Sequence, residues 1–100
     1  MTPHDKDALA AKIVTATCSA FGITPTDFFS ASRRGNLCDA RRAACFLMFV
    51  QGISNVRHIA HHIGRSFATV YHHIETHRNI YRHDPKYRKK YDTAKTLLSL

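Results

Sequence analysis

The chain has 100 residues, 44% of them hydrophobic, which predicts one folded globular domain and excludes a disordered protein. Lys and Arg outnumber Asp and Glu by 15 to 7, giving a formal charge of +8, and the longest apolar run, residues 43–50, is too short for a membrane span. Residues 1–50 hold six basic against four acidic side chains, whereas residues 51–100 hold nine against three. This surplus indicates a polyanionic partner for the second half, the alternative being a charged surface that only aids solubility.

The cysteines and the N-terminal segment bear on the compartment. Cys18, Cys38 and Cys45 form no paired framework, as expected of free thiols in a reducing environment. Asp5 and Asp7 stand where the apolar part of a signal peptide would begin. We therefore expect a cytoplasmic protein.

Two capping signals predict the first two helices. Residues 2–5 supply a Thr N-cap, a Pro at the first helical position and an acid at the third, so a helix should run to Phe21 and stop at Gly22. Residues 24–27 repeat the signal for a short helix. Residues 30–37, with two Ser, two Arg, a Gly and an Asn, are predicted to form a basic loop.

The middle of the chain predicts a buried helix followed by a shorter amphipathic one. The third helix should begin near Asp39 and end before Gly52, and its segment AACFLMFV is apolar nearly all round, as in a central core helix. Ser54 or Asn55 caps the fourth helix, which ends at Gly64.

The last two helices are also marked by caps. Ser66 caps the fifth, and Asp84 with Pro85 starts the sixth. The predicted inner stripe of the fifth helix is Phe67, Val70, Ile74, His77 or Arg78, and Tyr81. Strand alternation is missing, so residues 1–100 are predicted to form a single all-α domain, a compact bundle of about six helices.

Residues 52–82 predict a helix-turn-helix, because two helices meet at a tight turn after Gly64. The second helix of such a motif can enter a DNA major groove and read bases with its N-terminal half. The predicted base-reading residues, which would face outward, are Ser66, Ala68, Thr69, His72, His73 and Thr76. These side chains discriminate poorly between bases, so we expect modest sequence specificity and a large contribution of phosphate contacts to the affinity. The alternative is that these residues only form a solvated helix face.

Arginines near the motif are the candidates for phosphate or minor-groove contacts. They are Arg33, Arg34, Arg41, Arg57 and Arg65. Arg41 and Arg42 begin the core helix, where the alternative role is support of the basic loop. A further basic patch at residues 86–90 is either a DNA flank or the solvated face of the last helix.

Seven of the eight histidines lie between residues 58 and 83. His58 with His62, and His73 with His77, have the i,i+4 spacing that can bind zinc, but no Cys or Glu completes a zinc motif. We predict no metal, no cofactor and, since phosphate-binding loops and nucleophile elbows are missing too, no enzymatic activity. The histidines are interpreted as polar surface and interface residues that acidification would charge.

Two segments carry a family resemblance. FGITPTDFFSASRRGNLCDARRAACFLMF is similar to a helix end, a V-x-x-x-D-L run, a basic loop and a buried helix, and HIGRSFATVYHH is similar to the signature FGGRDHTTVLHA. Over residues 8–82 the chain resembles the C-terminal DNA-binding domain of the replication initiator DnaA, in the Trp-repressor-like helix-turn-helix superfamily. Residues 84–100 would be an extra C-terminal helix. The matching signature positions are Gly64, Arg65, Thr69, Val70 and His72.

The departures from that signature limit what the resemblance implies. Ser66, Phe67 and Ala68 stand where the family has Asp, His and Thr. Ser66 can still cap a helix, but Phe67 and Ala68 cannot reproduce the hydrogen bonds of a His and a Thr. The resemblance implies the fold and general DNA binding without recognition of the initiator's own box, and the initiator's ATPase module is missing from the sequence.

The leading hypothesis is a double-stranded DNA-binding protein, possible roles being the regulation of replication or transcription. The alternative is a protein-interaction module that kept the fold and lost base readout. A third, weaker hypothesis is a histidine-dependent metal sensor.

Overall fold

The computed structural model describes residues 2–53 and 55–100. This part of the chain forms six α-helices around one apolar core. The helices are α1 (Pro3–Phe21), α2 (Pro25–Phe29), α3 (Gly35–Val50), α4 (Val56–Ile63), α5 (Phe67–His83) and α6 (Pro85–Leu97). The predicted fold class is thereby confirmed.

The predicted caps account for most of these boundaries. Thr2 and Asp5 form a capping box, in which the Asp5 N–H donates to Thr2 Oγ1 at 3.1 Å and the Thr2 N–H donates to Asp5 Oδ2 at 3.2 Å. Gly22 ends α1 in the left-handed conformation, with φ 67°. At α4, Asn55 Oδ1 accepts the Arg57 N–H at 2.9 Å, whereas the alternative cap, Ser54, lies outside the described residues.

Helix α3 begins four residues earlier than predicted, at Gly35 rather than near Asp39. Its N-cap, Arg34, makes no side-chain capping bond, so local signals do not explain the start. Tertiary contacts do: Asn36 Nδ2 donates to the Phe21 carbonyl at 2.9 Å, and Lys90 Nζ donates to Asn36 Oδ1 at 2.9 Å. The predicted basic loop is therefore shorter, because contacts with α1 and α6 override the weak helix propensity of Gly and Asn.

Helix α3 is the centre of the core, as its apolar sequence predicted. Its residues Ala40, Ala43, Ala44, Cys45, Leu47 and Met48 have no exposed surface. Helices α1 and α5 pack against it, and α6 packs against α1. None of the helices of residues 2–53 and 55–100 has the length and apolarity to cross a membrane.

The inner face of α5 differs from the prediction at Phe67 and His73, whereas Val70 and His77 are buried as predicted. Val70, His73 and His77 are buried, whereas Phe67 is 47% exposed and Ile74 is half-buried. Residues 70, 73 and 77 have the same i, i+3, i+7 spacing as residues 67, 70 and 74, so periodicity permits either stripe. Ring contacts favour the histidine stripe, since His77 stacks on Phe46 of α3 with centroids 3.9 Å apart.

Candidate nucleic-acid interface

A three-residue turn joins α4 to α5. Gly64 ends α4 with φ 66° and ψ 36°, a left-handed conformation that favours glycine, and the N–H groups of Gly64 and Arg65 both donate to the Ala60 carbonyl. Ser66 then caps α5, because its Oγ accepts the Thr69 N–H at 3.2 Å. This is the geometry of a helix-turn-helix, and it leaves the first turn of α5 at the surface.

Four of the predicted base readers lie at the accessible start of α5. Ser66, Ala68 and His72 are exposed, and Thr69 is half-buried with its hydroxyl oxygen 3.0 Å from Ser66 Oγ. The structure brings these side chains together at the N-terminal end of α5, within its first two turns.

Two aromatic residues join this surface that the sequence did not mark as base readers. Phe67 and Tyr71 are 47% and 49% exposed, and their rings meet edge to face with centroids 5.4 Å apart. The Arg57 guanidinium lies over the Phe67 ring, 5.5 Å from its centroid. The position of Phe67 could have indicated its exposure, because Phe67 is the first residue of α5 and continues no apolar stripe from a preceding turn.

Two other predicted base readers are turned away from this surface, and here the prediction is wrong about their orientation. His73 is only 6% exposed and faces the core. The Thr76 hydroxyl accepts a hydrogen bond from Arg42 Nε at 3.0 Å and donates to the His72 carbonyl at 2.8 Å. Both follow from the rotated inner stripe of α5, which directs residues 73 and 76 towards α3.

Arg41 is likewise unavailable for DNA phosphate, in contrast to its prediction as a phosphate or minor-groove contact. Its side chain is buried, and its guanidinium donates four hydrogen bonds to backbone carbonyls. The acceptors are Phe28 at 2.8 Å, Ser32 at 2.7 Å, Asp27 at 3.2 Å and Ser30 at 2.9 Å. Arg41 therefore fixes the end of α2 and the loop after it, which was the alternative role.

The remaining four arginines stay near the surface. Arg33, Arg34 and Arg57 are exposed, whereas Arg65 is half-buried. The Arg65 guanidinium donates to the carbonyls of Ser30 and Gly64, and so joins the turn of the motif to the loop at residues 30–34. Arg65 thus acts in part as a structural tie.

The loop and the start of α5 meet across a groove of about 460 Å³. The groove is lined by Ala31, Arg33, Cys38, Arg41, Arg65, Thr69 and His73. The Cys38 thiol donates to the Arg33 carbonyl at 3.4 Å, which holds the loop against the first turn of α3. Positive charge from the loop thereby lies beside the hydroxyls at the N-terminus of α5, where the helix dipole also favours an anion.

The buried histidines beneath this surface are neutral at pH 7. Burial and the nearby Arg42 guanidinium lower the pKa of His73 to about 4. The same two causes, with a smaller effect of Arg78, lower the pKa of His77 to about 4. His77 Nδ1 is 2.7 Å from Tyr87 Oη, whereas His73 Nδ1 has no hydrogen-bond partner among the described residues.

The histidine pairs that suggested zinc are not arranged as a metal site. Among residues 2–53 and 55–100, no group of three or more His, Cys, Asp or Glu side chains could hold a metal ion. His62 Nε2 lies 3.3 Å from Asp7 Oδ1, and His77 Nδ1 is already paired with Tyr87. Within the described residues, one histidine of each i,i+4 pair thus has another partner, and no convergent set of ligands is present.

Comparison with known proteins places the motif in a family. The family described as the bacterial dnaA protein helix-turn-helix matches residues 10–76, more than half of the chain. The match includes α4, the turn at Gly64 and the first part of α5. Searches of curated proteins and of solved structures gave no match. On the family match, the chain belongs to the helix-turn-helix family of the bacterial DnaA protein.

Proposed function

We propose that this protein binds double-stranded DNA by inserting the N-terminal half of α5 into a major groove. The observation that carries the proposal is the shared groove, in which Arg33 of the basic loop faces Thr69 of α5. A major groove admits one α-helix, and phosphates flank it on both sides, so base-reading and phosphate-binding groups must lie next to each other. The family and the net charge of +8 support the same function.

Within this arrangement the side chains divide into two sets. Ser66, Ala68, Thr69 and His72 would face base edges, together with Phe67 and Tyr71, whose rings can contact thymine methyl groups. Arg33, Arg34 and Arg57 would bind phosphates or enter the minor groove, and Arg65 would position the loop while contributing its charge. Because small hydroxyls and apolar rings discriminate bases weakly, most of the affinity would come from phosphate contacts.

The proposed biological role follows from this mode of binding. A helix-turn-helix unit of this family would act by occupying DNA, in the cytoplasm and without catalysis. Regulation of replication or transcription is the role that fits such occupancy. Residues 1–100 would work as one helix-turn-helix unit, with α6 as an added helix that closes the core.

Duplex binding should be strongly salt-dependent and should need the basic loop. We expect Arg33→Ala/Arg34→Ala to weaken the binding of a random duplex about tenfold or more, and to reduce the slope of log affinity against log salt by about 1 for each lost phosphate contact. Fluorescence anisotropy across a salt series measures both quantities.

A matched control removes the same charge from another face. Lys6→Ala/Lys12→Ala also deletes two cations, but both lie on α1, which packs mainly on α3 and α6. We expect this variant to keep nearly the full salt slope. Equal effects of the two double variants would show that only net charge matters, and absence of binding by the wild type at low salt would refute the proposal.

The exposed aromatic pair favours a second candidate function, a protein-interaction surface. Phe67 and Tyr71 expose about half of their area, and aromatic side chains are enriched at the centres of protein interfaces. Under the DNA proposal, Phe67→Ser/Tyr71→Ser should weaken binding to thymine-containing duplex and have less effect when uracil replaces thymine. If the variant binds both duplexes as the wild type does, while losing a partner captured by the wild type, the protein-interaction function is favoured.

A further inference from the structure

A second concave site lies where the C-terminal half of α5 faces α3 and α6. Its cavity measures about 530 Å³, within the size range of small-molecule sites. Phe46, Tyr81 and Tyr91 line it. Except for Phe46, every lining residue follows residue 76, where the family match ends. The shared motif therefore does not account for this cavity.

The aromatic wall of the cavity is held in place from within the core. His77 is buried, stacks on Phe46 with centroids 3.9 Å apart, and lies 4.5 Å from the Tyr91 ring. Tyr81 meets Tyr91 edge to face at 5.5 Å and is half-buried, so part of its ring remains accessible. A flat ring entering the cavity would find aromatic surfaces already positioned, which favours stacking.

The rim of the same cavity is strongly basic. Arg78, Arg82, Arg88 and Lys95 line it, and within the described part of the chain no carboxylate does. The ion pairs found among residues 2–53 and 55–100 join Arg42 to Asp39 and His62 to Asp7, so no ion pair neutralises Arg78 or Arg82.

The other two cations are partly engaged by the wall itself. The Arg88 Nη1 group donates to the carbonyls of Tyr81 and Arg82, both at 3.2 Å. Lys95 Nζ lies 6.0 Å from the Tyr91 ring centroid. The ligand that complements this cavity therefore has a flat aromatic part for the rings and an anionic part for Arg78 and Arg82.

We propose that this cavity binds a nucleotide unit, with the base against the aromatic wall and the phosphate between Arg78 and Arg82. Inorganic phosphate would leave the rings unused, and an uncharged aromatic molecule would leave the arginines unused. The unit is either a free nucleotide or an unpaired nucleotide of a DNA strand, which have this chemistry in common. The site is separate from the duplex interface, since Arg78 lies about 18 Å along the helix axis from Ser66.

The test is amide NMR of the full chain with four probes. They are ATP, an oligothymidylate of about ten nucleotides, adenosine and tripolyphosphate. We expect ATP or the oligothymidylate to shift resonances of residues 77–95 and to bind about tenfold more tightly than adenosine or tripolyphosphate. ATP alone would identify a free nucleotide as the ligand, and the oligothymidylate alone an unpaired nucleotide.

Paired variants separate a built site from a charged surface. Tyr81→Ala should weaken nucleotide binding about tenfold, whereas Tyr81→Phe should retain it because the ring remains. Arg78→Ala/Arg82→Ala should weaken it similarly, whereas Lys6→Ala/Lys12→Ala, which removes the same charge from α1, should not. The proposal is overturned if neither nucleotide probe shifts the resonances of residues 77–95. It is also overturned if tripolyphosphate binds as tightly as ATP and the Tyr81→Ala and Arg78→Ala/Arg82→Ala variants bind ATP as tightly as their controls.

Discussion

Replacing Arg41 by Ala is expected to cost on the order of 4 kcal/mol of unfolding free energy. The buried guanidinium donates to four backbone carbonyls at the end of α2 and in the following loop. Its removal leaves these acceptors without their charged donor and opens a cavity beside α3. Urea unfolding followed by circular dichroism at 222 nm measures the change.

Two control variants show whether the loss of stability comes from the hydrogen-bond geometry of the guanidinium or from its charge. Arg41→Lys keeps the charge, but one ammonium group cannot reach four carbonyls in the arrangement that a planar guanidinium spans, so we expect an intermediate loss. Arg34→Ala removes an exposed arginine that makes no capping bond, and should change stability by no more than about 0.5 kcal/mol. An Arg41→Ala protein within about 1 kcal/mol of the wild type would contradict this account.

The Arg41 result bears on DNA binding as well. Arg41 and Arg65 both donate to the Ser30 carbonyl, so the loop that carries Arg33 is held from the core and from the turn of the motif. Loss of Arg41 should therefore weaken duplex binding without removing a phosphate contact. Sequence alone could not separate Arg41 from its exposed neighbours, because a basic residue at the start of a helix has the same local pattern whether it faces solvent or a ring of carbonyls.

Local signals predicted the helices well, because each depends on residues within one turn. The capping box at Thr2, the left-handed glycines at positions 22 and 64, and the Ser66 cap are present as expected. The start of α3 was predicted less well, since Asn36 is held by Phe21 and Lys90, which lie far away in the sequence. Contacts of that kind leave no periodic pattern.

The candidate site was predicted only in part, for a related reason. Hydropathy assigned Phe67 to the core and His73 to the surface, and the structure reverses both. A neutral imidazole can be buried where aromatic rings and a helix such as α3 surround it. An aromatic ring can be exposed where it forms part of a binding surface. The two stripes of α5 have identical spacing, so only the packing against α3 decides between them.

The burial of His73 and His77 makes the stability of the fold sensitive to acid. His73 and His77 have pKa values lowered to about 4 in the folded chain, whereas an unfolded histidine has a pKa near ~6.5. Below pH 6.5 the unfolded chain therefore binds more protons than the native one, and stability falls as the pH falls towards 4. Burial opposes protonation in the fold, and nearby cations add to this effect, chiefly Arg42 for both histidines.

We expect the unfolding free energy to fall by about 2 kcal/mol for each of these two imidazoles between pH 7.5 and pH 5. Urea titrations across this pH range measure the fall. His73→Leu should remove about half of the fall that these two imidazoles cause and should cost little stability at pH 7.5, because His73 Nδ1 has no hydrogen-bond partner among the described residues. If His73→Leu kept the wild-type slope, the acid sensitivity would have to arise from other groups, and burial of a neutral His73 would not be its cause.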